Sequence, residues 1–209
     1  MLNRHARGFF TALFAPIARF LLSRGVSPDT VTIVGTAGVV LGALALYPIG
    51  ELWWGSLLIA VFALSDVVDG IMARQLRRSG TWGSFLDSTL DRIADGAIFA
   101  GVSIWFFTGG ADRPIALASL ACLVLGMVVS YARAKAESLG FHANVGIAER
   151  AERLISVLLV TGLTGLGLPP VVLFVTLAAL AVATAVTVVQ RMAAVRRQSL
   201  AAVDGGASA

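Results

Sequence analysis

The chain is poor in charge, in histidine and in cysteine. Asp, Glu, Lys and Arg make up 13% of its 209 residues, against about 25% in a soluble globular domain. That excludes an ordinary soluble enzyme, and the high apolar content described below excludes a disordered chain. The single cysteine, Cys122, lies in an apolar run, so neither a disulfide framework nor a thiolate metal cluster is available. The only histidines, His5 and His142, stand apart from the acidic residues discussed below, which argues against zinc.

What is abundant is apolar surface: 57% of residues are hydrophobic and mean hydropathy is +0.87. A bilayer core about 30 Å thick needs about 20 apolar residues per helix. Six stretches, 28–49, 52–73, 87–108, 114–132, 153–168 and 170–190, meet or approach that length. The expected fold is an all-α polytopic membrane protein of six transmembrane helices. Gly109 to Pro114 and Gly165 to Pro170 read as tight outer turns.

Charge sets the orientation. With the N-terminus inside, every Lys and Arg except Arg113 falls on the inner side of these spans, as the positive-inside rule requires. Both termini are then cytoplasmic and the span number is even. The pI near 10.2 reads as this topology plus attraction to anionic lipid, with no nucleic-acid partner. Residues 1–26 form an interfacial amphipathic helix, with Phe10, Leu13, Phe14, Ile17, Phe20 and Leu21 at helical spacing. Residues 27–197 form the membrane domain, opening on Ser27-Pro28 as a helix start, and 198–209 a flexible cytoplasmic tail. Gly38 and Gly42 make a small-xxx-small pattern, which either brings two helices together or is glycine scattered through a Gly-rich chain.

The informative segment runs from 65 to 96. Asp66 and Asp69 end the second span, and Asp87, Asp91 and Asp95 open the third. Each aspartate at mid-bilayer costs about 2.5–3.5 kcal/mol, less near an interface, so their retention points to function. At about 100° per residue, Asp66, Asp69, Gly70, Ala73 and Arg74 share one helix face, and Gly83, Asp87 and Asp91 form a second stripe. A short connection around 78–81 predicts antiparallel neighbours whose acidic faces oppose each other. Facing carboxylates do not all stay ionised unaided. Two divalent cations would neutralise them, and such a pair is a common device for phosphoryl displacement. Hard oxygen donors suit Mg²⁺, Mn²⁺ or Ca²⁺, and the planar fork of Arg74 suits a phosphate.

The pattern Asp66-x2-Asp69-Gly70-x2-Ala73-Arg74-x8-Gly83-x3-Asp87-x3-Asp91 matches the signature of the CDP-alcohol phosphotransferase family, and the chain resembles that family over nearly its whole length. The resemblance implies that Asp66, Asp69 and Asp87 bind two metals, Mg²⁺ with Mn²⁺ as the alternative. Asp91 would contribute to the second metal and act as general base. It implies a CDP cradle formed by Gly70, Arg74, Gly80 and Gly83, approached by Asp29, Thr30, Val31 and Thr32, and it implies a homodimer. Asp95, one turn beyond the motif, is expected to be a packing or supporting group.

Within the family the chain is most similar to bacterial members that join CDP-diacylglycerol to inositol 1-phosphate, in the plasma membrane with a cytoplasmic site. Arg133, Lys135, Arg153 and Arg191 cluster at inner span ends, and several cations beside a bound diphosphate suit an acceptor that is itself a phosphate. The same positions are where ordinary topology anchors fall. The resemblance matches the four to the inositol-phosphate pocket, with Glu149 and Glu152 placed to orient Arg153. Members using glycerol 3-phosphate share the motif. A divalent-cation transporter is the alternative from another class.

Overall fold

A computed structural model describes residues 4–76, 80–147 and 150–206; among them every regular element is helical and no strand occurs. The order is α1 (Arg4–Ser23), α2 (Pro28–Leu41), α3 (Leu52–Ala63), α4 (Ser65–Gln75), α5 (Thr81–Phe107), α6 (Arg113–Ser138), α7 (Arg150–Gly165) and α8 (Pro170–Gly206). A π turn at Gly42–Leu46 and a 3₁₀ turn at Tyr47–Ile49 extend α2 toward α3. The two expected outer turns are present, joining α5 to α6 and α7 to α8.

Four segments are long and apolar enough to cross a membrane: Pro28–Ile49, Leu52–Gln75, Arg113–Ser138 and Pro170–Ala201. The other two expected spans are also helical, yet differ for a physical reason. Helix α5 has 27 residues but carries Asp87, Asp91, Arg92 and Asp95. Helix α7 has only 16 residues and opens on Arg150, Glu152 and Arg153.

The start of α2 follows from local chemistry. Ser27 caps it, accepting from the Thr30 amide at 3.1 Å, and Pro28 occupies the first turn, where its missing N–H is not needed. Helix α1 falls within the expected N-terminal helix, but its apolar residues divide between two surroundings. Phe14, Ala18, Leu21 and Leu22 pack against Val68, Ile71 and Met72 of α4, whereas Leu13, Ile17 and Phe20 are exposed. The expected stripe omitted Ala18, the most enclosed of them, because alanine contributes little to an apolar pattern.

The main core joins α2, α3, α5, α6, α7 and α8 through Val39, Ile59, Ile98, Val102, Ile115, Val157, Leu173 and Leu177, with Tyr47 added from the 3₁₀ turn. The Tyr47 hydroxyl and Ser56 Oγ share a hydrogen bond of 2.8 Å, which satisfies both polar groups inside the apolar layer. Gly38 and Gly42 serve close packing. A β-carbon on Gly38 would lie 2.2 Å from the Phe62 ring, and one on Gly42 would lie 3.1 Å from Ile59. Between Leu52 and Gln75 the helix is jointed at Leu64, where a tighter turn separates α3 from α4 just before Asp66.

Helix α8 continues to Gly206, past the boundary expected at 197. Leu200, Ala201 and Ala202 are strong helix formers that propagate the preceding turns. Gln198 is engaged, its Oε1 accepting from the His142 amide at 2.9 Å and its Nε2 donating to the His142 carbonyl at 2.7 Å.

Candidate active site

Helices α2, α4, α5 and α7 build the site. Helix α2 packs against both α4 and α5, while α4 and α5 make little direct contact with one another. Helix α2 flanks both acidic helices, whose carboxylates remain near one another across the space between them. Residues 77–79, within the expected connection, lie outside the described residues.

On α4, Val68, Ile71 and Met72 turn toward α1, which leaves the face bearing Asp66, Asp69, Gly70 and Arg74 for the site. Thr32 Oγ1 lies 2.6 Å from Asp69 Oδ2 and 3.1 Å from the Pro28 carbonyl. A hydroxyl has one proton, and the shorter, charge-assisted bond to the carboxylate takes it. Asp69 is buried, so this donor compensates part of its lost hydration. The Arg74 guanidinium folds back over Gly70, with Nη1 3.5 Å from where a β-carbon would stand. Asp29 Oδ1 lies 3.8 Å from the corresponding point on Gly83, and Gly80 has open space around it.

Asp66, Asp69 and Asp91 each lie within electrostatic reach of Asp87. The four motif carboxylates thus form one cluster drawn from two helices. Into it reaches Arg150 from the first residue of α7: Nη1 lies 2.8 Å from Asp91 Oδ1 and 3.4 Å from Asp66 Oδ2, and Nε lies 3.0 Å from Asp95 Oδ1. Arg92 supports the same group, its Nη2 3.3 Å from Asp95 and 3.8 Å from Asp91, with Nη1 donating to Ser130 Oγ. Asp95 is accordingly a buried supporting carboxylate held by two arginines.

The donor set suits a hard divalent cation. It is all carboxylate oxygen from Asp66, Asp69, Asp87 and Asp91, and its negative charge already draws in a guanidinium. Among the described residues no three acids close on a single point; the Arg150 side chain lies between Asp66 and Asp91.

The expected acceptor cations separate into two behaviours. Arg133 and Arg153 both lie within electrostatic reach of Arg191, and Arg153, buried in the first turn of α7, also feels Asp95, Arg92 and Arg150. Arg153 is therefore common to the acidic and basic groups. Arg133 is tied to Glu137 at 2.8 Å. Arg191, in the interior of α8, donates to the carbonyls of Val145 and Val129, fastening the loop before α7 and helix α6 to α8. Lys135 lies two residues beyond Arg133, about 200° around the helix, and is exposed on another side of α6. Glu149 lies outside the described residues.

Arg150, Arg92 and Ser130 are site residues that sequence reasoning missed. Arg150 read only as a topology charge, although its place beside Glu149, Glu152 and Arg153 at a span entrance was a usable signal.

The CDP-alcohol phosphatidyltransferase model matches residues 25–189. The phosphatidylinositol phosphate synthase of Streptomyces avermitilis is 52% identical over 205 residues, covering 95% of this chain and 84% of that protein. The Mycolicibacterium smegmatis phosphatidylinositol phosphate synthase is 45% identical over 193 residues, 91% of this chain and 86% of its own length. Among solved structures, the Mycobacterium tuberculosis phosphatidylinositol phosphate synthase with CDP-DAG bound superposes with a TM-score of 0.84 at 44% identity, covering 88% of this chain and 94% of that one. The same enzyme in complex with manganese and citrate gives 0.82 at 45% identity, over 86% and 87%.

Proposed function

The chain belongs to the CDP-alcohol phosphatidyltransferase family, and from that premise we propose that it transfers the phosphatidyl group of CDP-diacylglycerol to inositol 1-phosphate, giving phosphatidylinositol phosphate and CMP. Similarity to named synthases at 45–52% identity supports the acceptor. The observation that carries the chemistry is that Asp66 of α4 and Asp91 of α5 lie close enough to share one Arg150 nitrogen, with Asp69 bonded to Thr32 of α2 beside them. Family membership sets the transporter alternative aside.

Asp66, Asp69 and Asp87, with Asp91, would hold two divalent cations, Mg²⁺ or Mn²⁺, which when bound would supply positive charge to the diphosphate and to the departing CMP. Thr32 fixes Asp69 through its 2.6 Å bond. Arg74, Gly70, Gly80, Gly83 and the first turn of α2, Asp29 to Thr32, cradle the nucleotide; the glycines let its backbone-facing atoms approach. Asp91 takes the proton from the inositol hydroxyl. The freed oxygen attacks the phosphorus that bears diacylglycerol, and the bond from that phosphorus to the bridging oxygen of CMP breaks. Arg153, with Arg133 and Arg191, attracts the acceptor phosphate; Lys135 serves at longer range.

The protein is a multi-pass membrane protein, and in this reading α5 and α7 complete six crossings. The bias of Lys and Arg toward one set of helix ends supports a cytoplasmic site and termini in a bacterial plasma membrane, and the reading includes a dimer of two copies. Purified protein supplied with CDP-diacylglycerol and either inositol 1-phosphate or glycerol 3-phosphate tests the acceptor. Turnover with inositol 1-phosphate is expected; turnover with glycerol 3-phosphate alone would reassign the reaction.

A further inference from the structure

We propose that Arg150 is a resident counter-cation of the acidic cluster, surrendering Asp66 and Asp91 to divalent cations while remaining paired with Asp95. This rests on the metal-binding reading above and extends it to a residue outside the signature.

The contacts are divided in a way that permits exchange. Both bonds to motif acids, Asp91 at 2.8 Å and Asp66 at 3.4 Å, come from the same outer nitrogen, Nη1. The bond to Asp95 comes from Nε, closer to the backbone, at 3.0 Å. Turning the planar guanidinium about its inner end sweeps Nη1 out of the cluster while Nε stays near Asp95. Asp95 is the deeper anchor: it is 8% exposed and is gripped by Arg92 as well. Asp66 is exposed, and its carboxylate can re-aim.

Charge arithmetic favours the same sequence. Four motif carboxylates match two divalent cations, which leaves Asp95 as the carboxylate that Arg150 keeps, shared with Arg92. Leaving Nη1 between Asp66 and Asp91 would set a guanidinium against incoming cations in a partly buried site, where like charges repel most strongly. Exchange also has a reach beyond the cluster. Arg150 and Arg153 share the first turn of α7, so loading of the metals acts on the helix that presents Arg153 to the acceptor. Arg150 is thus a positioning residue, acting through Asp66, Asp91 and the start of α7.

The test is Mn²⁺ binding to the full-length protein in detergent, read from the free-ion electron paramagnetic resonance signal, together with melting temperature with and without Mn²⁺. Arg150→Gln is expected to bind Mn²⁺ about fivefold more tightly than wild type, the scale of one partly exposed ion pair. It should melt lower without metal, and the gap should close at saturating Mn²⁺. Arg150→Lys keeps the charge but cannot span three carboxylates, so its affinity should fall between the two; it also carries the test if the Gln variant does not fold. Unchanged or weaker Mn²⁺ binding in the variants, or a melting gap that persists with metal, would overturn the exchange. So would wild-type affinity in the Lys variant alongside tighter binding in the Gln variant, since that assigns the effect to charge at a distance. A wild-type protein that binds no Mn²⁺ would remove the metal reading itself, a separate result.

Discussion

Thr32 on α2 and Asp69 on α4 are joined by a 2.6 Å hydrogen bond between residues 37 apart in sequence. The bond ties a buried carboxylate of the acidic cluster to α2, and in the proposed reading it would join the metal ligands to the nucleotide cradle. Thr32→Val should lower the rate at saturating substrates by about tenfold, in line with about 1.5 kcal/mol for a hydrogen bond to a charged group. Thr32→Ser, which keeps the donor, should recover most of it. Initial rates for the three proteins decide the matter; equal rates in the Val variant would leave the bond structural only.

Asp91→Asn should lose turnover by about 10²–10⁴, the usual contribution of a positioned general base, while CDP-diacylglycerol binding measured by calorimetry survives. Retained turnover would remove Asp91 as the base.

Arg153→Gln should raise the KM for inositol 1-phosphate by at least about tenfold, the worth of a charge-assisted bond to phosphate, and change that for CDP-diacylglycerol far less. Because Arg153 is buried among Asp95, Arg92 and Arg150, equal changes in both constants would mark it as structural.

Chelation with excess EDTA should reduce activity by about a hundredfold or more, matching several kcal/mol of metal-borne charge stabilisation. Adding back Mg²⁺ or Mn²⁺ should restore it, and undiminished turnover after chelation would be incompatible with the proposed chemistry.

Gly101→Ala should destabilise the fold by about 1–3 kcal/mol through overpacking, because its β-carbon would stand 2.2 Å from the Ala43 carbonyl oxygen, a backbone atom with no rotamer to yield. Gly126→Ala, with no neighbour within 4 Å, should be neutral or gain up to about 1 kcal/mol of helix propensity. Melting temperatures in detergent should move apart for the two variants.

The parts legible in the sequence are those set by local spacing. Ser27 and Pro28 announce the start of α2, the four-residue steps from Gly83 to Asp91 announce the acidic stripe, and the outer turns lie where glycine and proline end the apolar runs. What stayed hidden depends on distant partners. Arg150 meets Asp66 from 84 residues away, and no period in the chain encodes that meeting. The contact of α2 with both α4 and α5 is likewise a packing result: Thr32 reaches Asp69 of α4, while Gly38 and Gly42 seat α2 against Phe62 and Ile59 of α3. Lys135 shares a span end with Arg133, but the helix turns it to another side of α6, a separation that position along the span does not reveal. The run from Gln198 onward looked like a tail because its small residues carry little pattern, yet Gln198 docks on His142.

Helix α7 has 16 residues, a length of about 24 Å at 1.5 Å per residue, against a hydrocarbon layer of about 30 Å. In the six-crossing reading proposed above, a bilayer would have to thin beside so short a helix. Lipid glycerol and phosphate groups would then sink toward the level of Arg150 at its first turn, where the proposed lipid substrate would present its headgroup with its chains still in oil.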